Sequence, residues 1–386
     1  MQRSGATVAD ILERLISFDT TSHKTNVPLI LYVENYLRAH GVASYLVPTE
    51  DGQKVSLFAT IGPLDVPGIA LSGHTDVVPV DGQDWATDPF QLTFKDGRYY
   101  GRGSSDMKGF LACVLAAVPR FKSVNLNTPI HIAFSYDEEV GCIGVRPMIA
   151  EMGGTLPLPR IVIVGEPTDM RVVDAHKGPV RWQIDVLGRA AHSSMAHLGV
   201  NAITYAGMVL GELARIEADL AKRAADPRFE PPYPTLQVTT IEGGRASNIV
   251  PVSCRFGFEI RSMPGLDIAA IETRVKSFIE RECLPAMRAV APESGITITR
   301  TNYVPPFGTR EGSEAVALAL ALAGQNETFA VSYATEAGLF QDAGAPSVVC
   351  GPGNIAQAHT ANEWIAMSEL EKCSNFLDKL ADWCAA

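Results

Sequence analysis

Residues 66–76, VPGIALSGHTD, join a short apolar run to a histidine and an aspartate. The pattern recurs downstream, where PIHIAFSY (129–136) is followed by DEE and RIVIVG (160–165) is followed by Glu166. Continuous apolar runs of this length, separated by helix-length stretches, are typical of strands that are buried on both faces. We therefore predict an α/β sheet covered by helices on both sides, with polar side chains at the strand ends.

The pattern changes after Val180. Strand-like and helix-like stretches then follow in the order β-α-β-β-α-β, including a helix over 200–225 and a final strand at 296–303, which predicts a small ferredoxin-like α+β unit. The segment PPFG (305–308) reads as a linker, after which the first pattern resumes. We predict a discontinuous catalytic domain, 1–178 and 306–386, with a lid or dimerisation domain inserted at 179–305.

Composition excludes several classes of function. Lys and Arg total 32 against 43 Asp and Glu, a net charge of −11, so neither nucleic acid nor an anionic membrane is an expected partner. The seven cysteines are odd in number and form no CxxC pair, as expected for reduced thiols of a cytoplasmic protein. The N-terminal 22 residues alternate apolar and charged positions, which favours an amphipathic helix over a signal peptide.

Candidate metal ligands follow the predicted strands or lie in the Gly-rich loop GRGSSDMKG (101–109). They are His74, Asp106, Glu139, Glu166 and His359. In an open α/β sheet, ligands bind outside the carboxyl ends of the strands, so these distant residues are expected to meet in one crevice. Five donors are too many for one open catalytic zinc but suit two metals about 3.5–4 Å apart that share a carboxylate. Taken alone, an Asp or Glu of this set would more often be a helix cap or a solvated charge, and a His would more often be a surface or satisfied core residue.

Several segments carry a resemblance to a known family. SGHTDVVP (72–79), GRGSSDMKG (101–109), SYDEEVGC (135–142) and VGEPT (164–168) resemble the di-zinc aminoacylase and carboxypeptidase superfamily. DAHKGPVRWQIDVLGRAAHSS (174–194), RASNIVP (245–251), ATEAGLF (334–340) and CGPGNIAQAHTANEW (350–364) resemble the acetylornithine deacetylases within it. The resemblance covers essentially the whole chain. It implies a di-zinc exopeptidase-type domain with a mixed, mostly parallel sheet and an inserted lid.

The resemblance also implies a ligand assignment. His74, Asp106 and Glu166 would hold one Zn²⁺, and Asp106, Glu139 and His359 would hold the other, which makes Asp106 the bridge. These donors also accept Co²⁺ or Mn²⁺. Asp76 would hydrogen-bond the second ring nitrogen of His74 and fix its tautomer.

Glu138 would be the general base and then the general acid. The implied reaction removes the acetyl group from N2-acetyl-L-ornithine, a step of arginine biosynthesis, by attack of a metal-bound hydroxide on the acetyl carbonyl. The protonated Glu138 would then protonate the departing amine, which an amide needs because an amide anion is a very poor leaving group.

Further residues are candidates for substrate contacts. His192, in the inserted domain, would stabilise the tetrahedral oxyanion, in many relatives by reaching into the site of a dimer partner. Asn248 and Arg261 are candidate ligands of the substrate carboxylate. The tight turn at Gly353 would let backbone amides approach the substrate. Glu336 would pair with the ornithine ammonium, although a glutamate at a helix start is equally explained by the helix dipole.

The candidate metal ligands are also compatible with other functions. Succinyl-diaminopimelate desuccinylases, broader aminoacylases and metallodipeptidases share the metal chemistry, so the ligands cannot choose among them. A desuccinylase would need a second cationic pocket, and the sequence shows no matching cluster. A non-catalytic binding protein of the same fold should have lost a ligand or the base, whereas all six residues are present.

Overall fold

The first part of the chain alternates helices and strands in the computed structural model, which describes residues 6–223 and 225–386. In chain order these elements are α1 (Val8–Ile16), α2 (Val27–Ala39), β1 (Ser44–Pro48), β2 (Val55–Ile61), β3 (Ile69–His74), β4 (Thr93–Lys95), β5 (Arg98–Tyr100), α3 (Lys108–Ser123), β6 (Ile130–Ser135), α4 (Val145–Glu151), β7 (Ile161–Pro167) and β8 (Val173–His176). Residues 1–5 of the predicted catalytic segment and residue 224 of the predicted 200–225 helix lie outside the described residues.

The middle of the chain contains a second set of elements. They are β9 (Gly178–Leu187), α5 (Ala202–Leu220), β10 (Thr235–Gly243), β11 (Ser253–Ser262), α6 (Ile268–Phe278), α7 (Leu284–Val290) and β12 (Gly295–Tyr303). Helices α6 and α7 are joined without a loop by a π-helical stretch, Ile279–Cys283. Pro285, in the first turn of α7, has no N–H to donate, so the regular helical ladder cannot continue through it.

The last part returns to the first pattern. Its elements are β13 (Phe307–Gly308), α8 (Glu314–Ala323), β14 (Phe329–Val331), α9 (Ala337–Asp342), β15 (Ser347–Gly351), β16 (Trp364–Ala366) and α10 (Met367–Ala385). The chain divides into two compact units. Unit 1 contains residues 6–175 with Gly308–Ala330 and Thr335–Ala386, and unit 2 contains His176–Phe307 with Val331–Ala334. No helix in the described residues is long and apolar enough to cross a membrane.

A large mixed sheet forms the centre of unit 1. Among the described residues its strands are ordered β1-β2-β6-β3-β7-β15-β8-β13, and β14 also pairs with β8. The four central strands β6, β3, β7 and β15 run parallel, whereas β1 and β2 on one side and β8 on the other pair antiparallel. The predicted mixed α/β sheet is therefore confirmed, with the parallel pairs confined to its middle.

The central strands are apolar because no face of them meets water. Every residue of β3, β6, β7 and β15 is buried, and helix α3 contributes a further apolar face that includes Phe110 and Leu111. His74 and Glu166 accordingly lie at the ends of β3 and β7. Since parallel neighbours end at the same edge, their terminal residues are brought together there.

Unit 2 is a four-stranded antiparallel sheet with the order β10-β11-β9-β12. With α5 and the α6–α7 segment between its strands, this is the ferredoxin-like β-α-β-β-α-β order that the sequence predicts. One face is apolar, and there Trp182 and Phe258 stand opposite each other with stacked rings 4.9 Å apart. The other face is polar, so the strands alternate between buried and exposed residues.

Candidate active site

The five predicted ligands lie in five separate segments of unit 1. His74 is the last residue of β3, Glu166 lies at the end of β7, and Glu139 follows β6. Asp106 precedes α3, and His359 lies in the loop between β15 and β16. Because β6, β3 and β7 are adjacent and parallel, their carboxyl ends bring Glu139, His74 and Glu166 to one edge of the sheet, and the loops that contain Asp106 and His359 meet them there.

Asp106 stands between the two histidines. Its Oδ1 lies 3.0 Å from Nε2 of His74, which is also 3.6 Å from Glu166 Oε1. Its Oδ2 lies 3.3 Å from Nε2 of His359, which is also 2.9 Å from Glu139 Oε2. Each oxygen of Asp106 therefore faces a different histidine and a different second carboxylate.

These separations fit the donor set of a divalent metal centre. Ligand atoms on a tetrahedral zinc with bonds of ~2.0–2.1 Å stand about 3.3 Å apart, and the four distances between 2.9 and 3.6 Å bracket that value. Donor atoms of His74, Asp106 and Glu139 lie within 4.8 Å of one another, as do those of His74, Glu138 and Glu166. The imidazoles and carboxylates present suit zinc and similar divalent cations.

The electrostatics of the cluster favour a bound positive charge. Burial and the nearby Asp106 carboxylate raise the pKa of Glu139 to about 7, and the same two causes raise that of Glu166 well above its ordinary value. Hydrogen bonds to Asp106 and Glu139 raise the pKa of His359 to about 10. Carboxylates this close do not all ionise unless a nearby cation compensates their charge. Without such a cation, some of them retain a proton.

Both the backbone carbonyl and the carboxylate of Asp76 face the second ring nitrogen of His74. Burial by itself would lower the pKa of the imidazole, yet the hydrogen bonds to Asp106 and Asp76 outweigh burial and raise it. The nearest partner of Nδ1 is the backbone carbonyl of Asp76 at 2.9 Å, with the carboxylate Oδ1 farther away at 3.5 Å. A carbonyl only accepts, so Nδ1 carries the proton and Nε2 is directed at the donor cluster.

The Asp76 carboxylate also holds the loop that follows β6. It accepts the backbone N–H groups of Glu138 at 3.1 Å and Glu139 at 3.3 Å. It also accepts the hydroxyl of Ser22 at 2.8 Å, and Asp76 is only 2% exposed. Ser22 was missed by sequence reasoning because it lies 54 residues from Asp76 in a stretch without a recognisable motif.

Glu138 lies beside the donor cluster with a thiol as its neighbour. The Cys142 Sγ donates to Glu138 Oε1 at 3.2 Å. Burial, followed by the charges of Glu139, Glu336 and Asp106, raises the pKa of Glu138 well above its ordinary value, although His74 opposes this. A raised pKa makes a carboxylate a stronger proton acceptor than an ordinary surface carboxylate.

Glu336 is enclosed within unit 1. It begins helix α9, but its side chain makes no capping hydrogen bond. Its two oxygens instead accept the hydroxyls of Ser72 in β3 and Ser135 in β6, and it is 1% exposed. Burial raises its pKa to about 7. The helix-dipole explanation is therefore incomplete, because the side chain turns into the sheet.

The structure places the turn at Gly353 against its own domain. The Gly353 N–H donates to Glu369 at 3.3 Å, and a side chain at Gly353 would meet Ser105 Oγ at 2.4 Å. The glycine is therefore explained by close packing and by a φ of +89°. In this arrangement the Gly353 amide is already used within the protein.

In unit 2, His192 and Asn248 lie close together. The Ser193 N–H donates to the Asn248 carbonyl at 3.0 Å, and His192 pairs with Ile249 in a short antiparallel bridge. The His192 Nδ1 accepts the backbone N–H of Ser194 at 3.2 Å, so the ring proton is on Nε2. His192 is exposed and can offer that N–H to a ligand.

Arg261 lies at the opposite end of the same sheet. It is the next-to-last residue of β11 and pairs with Pro179 of β9. Its Nε donates to Glu259 at 2.6 Å. The loop that contains Asn248 joins the other end of β11, where Ser253 pairs with Leu187. At ~3.3 Å per residue, the eight steps from Ser253 to Arg261 amount to roughly 25 Å. Asn248 and Arg261 of one chain are therefore too far apart to bind the same small carboxylate.

The chain is similar to known proteins over most of its length. Residues 70–383 match the profile described as peptidase family M20/M25/M40. The chain is similar to the acetylornithine deacetylase of Myxococcus xanthus, with 37% identity over 97% of this chain and 96% of the relative. It is also 32% identical to the acetylornithine deacetylase of Pasteurella multocida, over 94% of this chain and 93% of that protein.

Solved structures show the same fold. An M20 family metallo-carboxypeptidase from Sulfolobus solfataricus superposes with a TM-score of 0.76 at 19% identity, covering 99% of this chain and 100% of the other. The YXEP protein of Bacillus subtilis, described as a dinuclear metal binding peptidase from the M20 family, gives 0.67 at 14% identity over 97% and 96%. Through the family match, the chain belongs to peptidase family M20/M25/M40 and is a hydrolase.

Proposed function

We propose that this M20/M25/M40 hydrolase removes the acetyl group from N2-acetyl-L-ornithine, giving L-ornithine and acetate for arginine biosynthesis. The arrangement of His74, Asp106, Glu139, Glu166 and His359 around Glu138 supports amide hydrolysis. The similarity to acetylornithine deacetylases, which extends over nearly the whole of both chains, supports the substrate.

The proposed cofactor is a pair of Zn²⁺ ions, with Co²⁺ or Mn²⁺ as alternatives. His74, Asp106 and Glu166 would hold one ion, and Asp106, Glu139 and His359 the other. The two Asp106 oxygens support this bridge, because each faces a different histidine. When bound, two such cations lower the pKa of a coordinated water and polarise the substrate carbonyl.

Glu138 is the proposed proton carrier. One carboxylate oxygen takes the proton from the attacking water as the oxygen–carbon bond forms. The same carboxyl group delivers that proton to the ornithine nitrogen as the carbon–nitrogen bond breaks, so Glu138 ends ionised again. Its position beside the donor cluster and its raised pKa support both transfers.

The proposed substrate contacts fall in both units. His192 would donate from Nε2 to the oxyanion, and Asn248 and Arg261 would bind the substrate carboxylate. The contribution of Gly353 and the pairing of Glu336 with the ornithine ammonium stay predictions. For Glu336, the ammonium would have to replace the hydroxyls of Ser72 and Ser135.

We also propose a homodimer formed through unit 2. Strand β10 is an edge strand of its sheet and is exposed along most of its length, with Val238 40% and Ile241 57% exposed. Exposed apolar edge strands are sites where another chain pairs. The separation of Asn248 from Arg261 supports the same proposal. The two side chains could bind one substrate carboxylate together only if they came from different chains. A scattering mass near 41.4 kDa, the mass of one chain, would contradict it.

The proposed location is the cytoplasm. All seven cysteines are buried and none forms a disulfide, which supports a reducing compartment. The deacetylase assignment is tested by comparing kcat/KM for N-acetylornithine, N-acetylmethionine, a dipeptide and succinyl-diaminopimelate. We expect N-acetylornithine to be preferred by at least tenfold. If it is not hydrolysed, the substrate assignment is wrong even where another amide is cleaved.

A chelator experiment tests the metal requirement independently of the substrate. Prolonged treatment with a strong chelator should abolish hydrolysis, and addition of Zn²⁺ or Co²⁺ should restore it. Metal content measured alongside should change in parallel with activity. Hydrolysis that continues after complete removal of metal would contradict the proposed di-metal chemistry.

A further inference from the structure

A buried ion pair lies directly behind the Asp106 loop. Arg102 Nη1 donates to Glu363 Oε2 at 2.7 Å, and both side chains are about 1% exposed. Both residues belong to unit 1, and neither is among the candidate metal ligands. Buried ion pairs are costly to desolvate, so one retained here calls for an explanation beyond stability.

Glu363 gathers the donors of the Asp106 loop onto a single carboxylate. Its Oε1 accepts the backbone N–H groups of Ser105 at 2.9 Å and Asp106 at 3.0 Å. Its Oε2 accepts the Gly103 N–H at 3.0 Å in addition to the Arg102 guanidinium. Three backbone amides converging on one anion fix the conformation of residues 103–106. Both Glu363 oxygens are engaged in this way, so its contribution to a metal is indirect.

The same ion pair is linked to the loop that contains His359. The Arg102 guanidinium donates to the Thr360 carbonyl at 3.3 Å and to Gln83 Oε1 at 2.6 Å. The Gln83 amide in turn donates to the His359 carbonyl at 3.0 Å. Asp106 and His359, whose side chains approach to 3.3 Å, therefore have their backbones fastened to one buried network.

We infer that Arg102 and Glu363 are positioning residues for the metal centre, with Gln83 extending their effect to His359. This inference rests on the proposed function, because it presumes that Asp106 and His359 bind metal. The network sets the backbone of the shared ligand Asp106 and of His359 before metal arrives. Residues that orient metal ligands typically contribute ~10–100-fold to metal affinity.

The inference distinguishes the two proposed metal positions. Asp106 would bind the metal at both positions, so loss of the Glu363 carboxylate should lower the affinity of both positions. Gln83 bonds the His359 carbonyl and the Arg102 guanidinium but none of the backbone amides of residues 103–106, so its loss should weaken mainly the position that His359 serves. A residue with a merely structural role would lower thermal stability without this selective pattern.

Glu363→Gln is the main variant. A glutamine of the same shape presents an NH₂ group where a carboxylate oxygen accepted two donors, so two hydrogen bonds become donor–donor contacts. Gln83→Ala is the milder variant, at a partly exposed position where folding is not at risk. Glu314→Gln is the matched control, because Glu314 is a surface carboxylate paired with Arg160 on the outside of unit 1.

The experiment titrates the full-length apoproteins with Zn²⁺ against a chromophoric chelator, with circular dichroism and thermal unfolding as checks of folding. We expect both affinities to fall at least tenfold in E363Q, one affinity to fall at least threefold in Q83A, and neither to change in E314Q. A folded E363Q with both affinities within threefold of wild type would overturn the inference. If E363Q does not fold, unchanged affinities in Q83A would overturn it. A wild-type protein that binds no Zn²⁺ would instead overturn the proposed function itself.

Discussion

Replacing Glu138 by glutamine isolates the proton transfers from the rest of the site. Glutamine keeps an acceptor oxygen for the Cys142 thiol, which lies 3.2 Å from Glu138 Oε1. It also keeps the backbone N–H that donates to Asp76 at 3.1 Å. The loop and the neighbouring donors should therefore stay in place while the side chain loses its ability to accept and release a proton.

The expected loss follows from the two transfers assigned to one group. General acid–base catalysis contributes typically ~10²–10⁴-fold per positioned group, and here the same carboxylate serves both attack and departure. We expect kcat to fall by roughly 10⁴-fold, which corresponds to about 5.4 kcal/mol of transition-state stabilisation. KM should change little, because Glu138 has no proposed contact with the amino-acid part of the substrate.

The assay measures release of the free amine from N-acetylornithine, together with metal content. E138Q should retain two metals, whereas the adjacent E139Q should lose affinity for one, since Glu139 Oε2 lies 2.9 Å from His359 Nε2. This pair separates the loss of a base from the loss of a ligand at neighbouring positions. If E138Q retains kcat within tenfold of wild type with full metal, Glu138 is not the base.

Three further predictions concern stability. Asn201→Ala should destabilise unit 2 by about 1 kcal/mol in chemical denaturation, because its side chain caps α5 by accepting two backbone N–H groups. Leu71→Ala, at the fully buried centre of β3, should cost ~2–5 kcal/mol, and a loss below 1 kcal/mol would mean that the sheet core repacks freely. Hydrogen bonds from Lys276, Arg300 and Trp182 lower the pKa of Glu272 to about 2 despite its burial. A folded-state pKa below the unfolded value stabilises above about pH 4.5. The stability difference between wild type and Glu272→Gln, at most about 1 kcal/mol for a partly exposed group, should therefore vanish as the pH falls from 4.5 towards 2.

The sequence was sufficient to predict the position of the metal-binding candidates. His74 and Glu166 end apolar runs too uniform to be anything but central strands, and Glu139 follows such a run. Strand ends of adjacent parallel strands share an edge, so convergence follows from topology without knowledge of any distance. Asp106 and His359 needed more, because each lies in a loop whose path depends on buried contacts.

Those buried contacts are the part that sequence reasoning could not supply. The partners of Asp76 come from Ser22 and from the backbone of Glu138, and backbone groups leave no trace in a sequence. The Glu363 carboxylate likewise accepts hydrogen bonds mainly from backbone amides. Its position, four residues after His359, is the only hint that the sequence offers.

The distance between Asn248 and Arg261 could not be read from the sequence. Asn248 and Arg261 are only 13 residues apart, which suggests proximity, but an extended strand lies between them. An antiparallel strand carries its two ends far apart, so closeness in sequence becomes distance in space. Within unit 1, Glu336 shows the opposite effect, since it meets Ser72 across 264 positions of chain.

The place of β15 in the large sheet has a consequence for biosynthesis. β15 pairs with β7, yet it is translated about 180 residues later. At ~5–20 residues per second, the β7 edge would wait roughly 10–40 s on the ribosome without its permanent neighbour. During that interval an apolar strand with unpaired amides is a target for non-native pairing. Nascent chains should therefore depend on chaperone protection until residues near 351 emerge, and folding yield should fall when translation is slowed within unit 2.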